Sequence, residues 1–87
     1  MPSDDHLSEL VEHHRKEVGE RLRRLRTEAG LSQLALAERG GLDHRTVSRC
    51  ENGRRAVSVD ILARLAYALG IQPWQLLHDA DSPRTRG

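Results

Sequence analysis

Aromatic side chains are almost missing from this sequence, which has one Trp, one Tyr and no Phe. A core must therefore be assembled from Leu, Val, Ile and Ala, a set that favours helices over a sheet. Cysteine is nearly missing too. A lone Cys50 excludes an internal disulfide and makes a reducing interior the default compartment. No apolar run approaches the roughly 18 residues that a membrane span needs. The start, MPSDDHLSEL, is acidic and polar, unlike a signal peptide. With 87 residues, 37% of them apolar and 31% charged, the chain is expected to form one small soluble domain, without a separate ligand-sensing domain.

What is present is unevenly spread. The formal net charge is only +1, but residues 1–20 set six acids (Asp4, Asp5, Glu9, Glu12, Glu17, Glu20) against Arg15 and Lys16. Residues 21–55 set nine arginines against Glu28, Glu38, Asp43 and Glu51. A basic middle beside an acidic arm points to a polyanion as partner for the middle alone.

Helix signals follow one another closely. Ser3 can cap a first segment, with Asp4 and Asp5 in its first turn, where the helix dipole favours them. Leu7, Val11, His14, Val18, Leu22, Leu25 and Ala29 then recur at steps of three and four. Gly19 interrupts that stripe, so either one long helix runs from about residue 4 to 29 or two helices meet near Gly19. Gly30 ends it. Ser32 caps a short helix over about 33–39, with Leu31 and Leu36 as a hydrophobic staple. Gly40-Gly41 breaks it, and Asp43 caps a third helix running from His44 to about Asn52, stopped by Gly53. Ser58 caps a fourth, carrying Ile61, Leu62, Leu65, Ala66 and Leu69, stopped by Gly70. Pro73 opens a fifth short turn of helix with Trp74, Leu76 and Leu77. Trp74 reads as a lid over the fourth and fifth helices.

Two short helices joined by a tight glycine turn form a helix-turn-helix, whose second helix enters the major groove of DNA. Val47 and Cys50 lie three apart and share the buried face of that helix. His44, Arg45, Ser48, Arg49 and Asn52 are left on the exposed face. Cys50 as a nucleophile is the weaker reading, because a cysteine on an apolar face usually packs as a small hydrophobe. The five histidines lack the spacing of a helical ligand pair, so no metal site is expected. No catalytic set and no cofactor are expected either.

The run LRRLRTEAGLSQ…LA…GL…TVSRCENGRR…LARLAYALGI resembles the phage-repressor and Cro-like family, also called xenobiotic-response-element-type helix-turn-helix regulators. The resemblance covers roughly residues 19 to 77 and rests on Arg26, Gly30, Leu31, Ser32, Gln33, Leu36, Ala37, Gly41, Val47, Ser48, Glu51, Gly53, Leu65, Ala66, Leu69 and Gly70. It implies an all-α, compact five-helix lambda-repressor-like domain, here with an N-terminal helical extension, and a two-fold dimer on operator DNA. By the same resemblance, His44, Arg45 and Arg49 match base-reading positions, and Ser48, on the same exposed face, is a further base-reading candidate. Gln33, Asn52 and Arg54 match positions on the phosphate backbone, and Arg55, in the same arginine loop, is a further phosphate-contacting candidate. Arg26 and Glu51 match a salt bridge between the first and third helices.

Three features depart from that pattern. Leu34 and Ala35 stand where polar residues are usual, so the capping box is missing and Leu34 is left pointing outward. Cys50 replaces a larger apolar residue. Residues 1–18 precede the usual first helix. The organisation expected is an acidic helical arm over 1–18, the helix-turn-helix domain over 19–78 and a flexible tail over 79–87. The arm stripe (Leu7, Leu10, Val11, Val18) is open to three readings: a dimer contact, packing on its own domain, or disorder. Leu7, Leu10, Val11 and Leu34 are the candidate surface for a protein partner.

The functional expectation is a sequence-specific, repressor-type transcriptional regulator of double-stranded DNA, bound as a homodimer to an inverted repeat. A cytoplasmic location, on the nucleoid through DNA, follows. The alternatives are a protein-interaction module, such as the antitoxin of a toxin–antitoxin pair, or a restriction-modification controller protein.

Overall fold

The computed structural model describes residues 4–78, so the Ser3 cap and the 79–87 tail lie outside the described residues. Four α-helices run in the order α1 (Asp4–Glu28), α2 (Gln33–Gly40), α3 (His44–Glu51) and α4 (Val59–Leu69), followed by a 3-10 turn (Pro73–Leu76). The described residues contain no strand. The expected fifth helix is only this 3-10 turn. Proline opens it without an N–H to donate. Gln75 N–H then bonds back three residues to the Gln72 carbonyl, and Leu77 N–H to that of Trp74.

Of the two readings of the first segment, the unbroken helix is the one observed. The border expected at residues 18/19 therefore falls inside a single helix. Gly19 costs α1 some intrinsic stability, roughly 1 kcal/mol against Ala, and packing explains its presence. A Cβ built there would lie 2.5 Å from the carbonyl oxygens of both Cys50 and Glu51. Only a residue without a side chain lets α1 lie this close to the end of α3.

All four α-helices end the same way. Gly30, Gly41, Gly53 and Gly70 have positive φ, and the next residue donates its N–H back past each glycine: Leu31 to the Arg26 carbonyl, Leu42 to Ala37, Arg54 to Arg49 and Ile71 to Ala66. This is the Schellman closure. Starts are less uniform. Ser32 Oγ accepts from Ala35 N–H at 3.0 Å, and Ser58 Oγ from Ile61 N–H at 3.2 Å. Asp43 stands at the cap position of α3, but its side chain makes no capping hydrogen bond. Its backbone carbonyl accepts from Thr46 and Val47 instead.

The core is aliphatic, as the shortage of aromatics requires. It consists of Leu22, Leu36, Ala37, Val47, Cys50, Ile61, Leu65, Ala66, Ala68 and Leu76. α1 packs on α3, α2 on α3 and α4, and the 3-10 turn on α4 and α1. Trp74 is not the expected lid: it is 51% exposed, and Leu76, at 0%, is the residue the turn drives into the core. With residues 73–76 turned as a 3-10 helix, one side of so short an element meets the core, and Leu76 occupies it.

Candidate nucleic-acid interface

α2 and α3 are short, eight residues each, and the turn between them is tight. Gly40 is buried, and a Cβ on it would stand 3.0 Å from the Arg64 carbonyl of α4. Gly41 then takes φ +65°, a left-handed conformation that a Cβ disfavours. Arg64 Nη1 donates to the Gly40 carbonyl at 3.2 Å, fastening the turn to α4. α3 is thereby held with one side inward. Val47 and Cys50 are buried, whereas His44, Arg45 and Arg49 are exposed and Ser48 is half-buried. Asn52, Arg54 and Arg55 are exposed just beyond the helix. Burial pushes the Cys50 thiol above its ordinary range, which disfavours the nucleophilic thiolate.

The last residue of α3 is the centre of a buried charged network. Glu51 has its side chain fully buried, and it accepts hydrogen bonds from three residues. Arg26 donates from Nε to Oε2 and, at 3.1 Å, from Nη2 to Oε1. Gln33 Nε2 donates to Oε1 at 2.9 Å and Arg23 Nε at 3.4 Å. Burial by itself would push the Glu51 carboxyl up. The hydrogen bonds from Arg26 and Gln33, the charge on Arg26 and the hydrogen bond from Arg23 outweigh it, and the group is held below the ordinary Glu range. Arg26 is raised, chiefly by its hydrogen bond to Glu51. Its Nη1 also donates to the Leu31 carbonyl at 2.7 Å, so one guanidinium ties α1, the α1–α2 turn and α3 together.

The Arg26–Glu51 bridge between α1 and α3 is thus present. Gln33 stands at the first position of α2, with one amide hydrogen spent on Glu51. The network also holds a residue that the sequence analysis passed over. Arg23 bonds both to Glu51 and, through Nη2, to Asn52 Oδ1 at 3.3 Å. The signal was there in the spacing, because Gly19, Arg23 and Arg26 stand four and three residues apart on one side of α1. Lys16, one turn earlier, packs against Gly53, where a Cβ would come within 2.9 Å of its side chain.

The other candidate surface is apolar. Leu7 (54%), Leu10 (41%) and Val11 (41%) are exposed along the first turns of α1, and Leu34 (55%) is exposed on α2. Val11 also borders an open groove of about 320 Å³ with Val18, Val57 and Leu77. Among the described residues, no cluster of three or more His, Cys, Asp or Glu is placed to hold a metal ion, and no helix is long and apolar enough to cross a membrane.

An all-α module that turns one short, basic helix face to solvent, locked from behind by a buried ion pair, is a helix-turn-helix. Comparison with known proteins bears this out. A family model described as a helix-turn-helix domain matches residues 17–78. A regulator of Sinorhizobium fredii described as the uncharacterized HTH-type transcriptional regulator y4dJ is 40% identical over 67 residues, covering 77% of this chain and 87% of that one. Among solved structures, the restriction-modification controller protein C.AhdI from Aeromonas hydrophila shares 47% identity at a TM-score of 0.70, covering 71% of this chain and 94% of that one. The clp gene regulator ClgR from C. glutamicum shares 33% identity at a TM-score of 0.68, covering 72% and 82%. The chain belongs to the helix-turn-helix family of DNA-binding transcriptional regulators.

Proposed function

We propose that the chain is a repressor-type regulator that binds an inverted-repeat operator as a homodimer, with α3 of each protomer in the major groove. The observation that carries this reading is the two-faced α3: Val47 and Cys50 buried, His44, Arg45 and Arg49 exposed. Arg45 and Arg49 take the base-reading role, since a guanidinium bonds guanine O6 and N7 at two points. His44 and the half-covered Ser48 complete the reading face. Gln33, Asn52, Arg54 and Arg55 flank it and lie along the phosphates. The N-terminus of α2 favours an anion at Gln33.

Selection of bound sequences from a random duplex pool tests the reading. The expected product is an inverted repeat with half-sites about 10 bp apart, or a multiple of that. Enrichment of no sequence, or of a single unrepeated site, refutes sequence-specific dimeric binding. On the selected duplex, Arg45→Ala relaxes base preference, while Arg54→Ala weakens all sequences about equally. With about four phosphate contacts per protomer, log K against log[salt] should slope near −7. One narrower reading has an observation in its favour. The 47% identity to a restriction-modification controller supports a controller role, and a neighbouring restriction or methyltransferase reading frame would carry it.

A further inference from the structure

α1 reaches the end of the recognition helix with two arginines that do different work. Arg26 is largely covered and is spent on Glu51 and the Leu31 carbonyl. Arg23, three residues earlier, is more than half exposed, yet it is tethered at one point by Nε to the buried Glu51 carboxylate. Its Nη2 reaches outward to Asn52 Oδ1 at 3.3 Å. A guanidinium has five donors and no acceptor. The end of the Asn52 amide that faces Arg23 must therefore be its oxygen, and the Nδ2 hydrogens must face away. An exposed amide without such a neighbour can turn over. For a side chain set against a phosphate, the two orientations have opposite consequences: Nδ2–H donates to the phosphate oxygen, while Oδ1 meets it lone pair to lone pair.

The Asn52 backbone is fixed before Arg23 acts. Asn52 N–H bonds to the Ser48 carbonyl at 3.1 Å, and Gly53 N–H to that of Cys50 at 3.1 Å. Gly53 is pressed against Lys16, and Gly19 lies on the Cys50 and Glu51 carbonyls. With the main chain held by α1 on both sides, the side-chain rotamer is what remains to be set.

We propose that Arg23 is a positioning residue for DNA binding: it holds the Asn52 amide with its hydrogens toward the phosphate backbone. This rests on the reading of Asn52 as a phosphate contact. The Arg23–Asn52 bond is exposed and adds little to folding, so its effect belongs to binding, while the bond to Glu51 is the part of Arg23 that supports the fold.

The test is a double-variant cycle on a duplex carrying the selected operator, read by fluorescence anisotropy beside melting temperatures. Arg23→Met and Asn52→Ala should each weaken binding about threefold to tenfold per half-site, the range of one hydrogen bond. The double variant should bind no more weakly than Asn52→Ala alone. Arg23→Lys, also donor-only, should keep most of the affinity. Arg23→Met also loses one of the hydrogen bonds on Glu51 and should melt no more than about 8 °C below the parent. A larger drop would make the role structural and overturn the proposal. So would a cost of Arg23→Met that persists in the Asn52→Ala background, with a salt slope smaller by about one per protomer, since Arg23 would then contact DNA itself. If Asn52→Ala binds like the parent, the phosphate reading of Asn52 falls, and this proposal with it.

Discussion

Replacing Glu51 by Ala should be the most damaging single change at the interface, and its size follows from what is left behind. Arg26 keeps a side chain only 13% exposed, too covered for water to replace the lost carboxylate fully. Gln33 and Arg23 lose the same acceptor. Breaking a buried pair from one side costs about 3–5 kcal/mol, mostly as the penalty of the stranded charge. A domain of this size is stable by about 5–10 kcal/mol, so the variant should lose close to half. At about 4–8 °C per kcal/mol for small domains, thermal melting followed by far-UV circular dichroism should fall by roughly 12–40 °C. Removing Arg26 as well, in an Arg26→Met/Glu51→Met chain, should recover much of the loss, because apolar groups of similar volume replace a buried pair at little cost. A Glu51→Ala chain melting within about 4 °C of the parent would refute the reasoning, and so would a double variant that melts no higher than the single one.

Acid titration checks the same pair by another route. A carboxyl held below its ordinary value stabilises the fold above the unfolded-state pKa, near 4.3, and the contribution is lost as pH falls through the folded value. The parent should lose stability more steeply than Glu51→Gln below about pH 4.3; parallel curves would count against it. Gly19→Ala should destabilise despite the helix propensity it gains, by about 1–3 kcal/mol, since its Cβ meets two backbone carbonyls at 2.5 Å; a higher melting temperature would mean that α1 and α3 are not so close. Ser32→Ala should cost about 1 kcal/mol in chemical denaturation by removing the acceptor for Ala35 N–H, and Asp43→Ala markedly less, because that side chain caps nothing.

Much of the fold was legible because its signals are local. Each helix stop rests on a glycine whose positive φ is a property of one residue, and Ser32 and Ser58 cap within their own first turns. Period alone put Leu36, Ala37, Val47 and Cys50 inside. Asp43 failed as a cap although its residue type fitted, because the choice between backbone and side chain as acceptor depends on a rotamer that sequence does not carry. Trp74 failed for a related reason: the period of a four-residue element is too short to say whether Trp74 or Leu76 faces the core.

The sequence by itself determined the helical class, where the helices stop and which side of α3 is apolar, and its resemblance to a family paired Arg26 with Glu51. Those follow from period, capping chemistry and the fixed spacing of a motif. Only the tertiary structure decided that α1 runs unbroken through Gly19, because that glycine answers to carbonyls 31 and 32 residues away. It also decided that Glu51 gathers Gln33 and Arg23 as well as Arg26, and that Arg23 reaches Asn52. Such contacts join helices that the sequence holds far apart, and their partners are chosen by how closely α1 and α3 can approach.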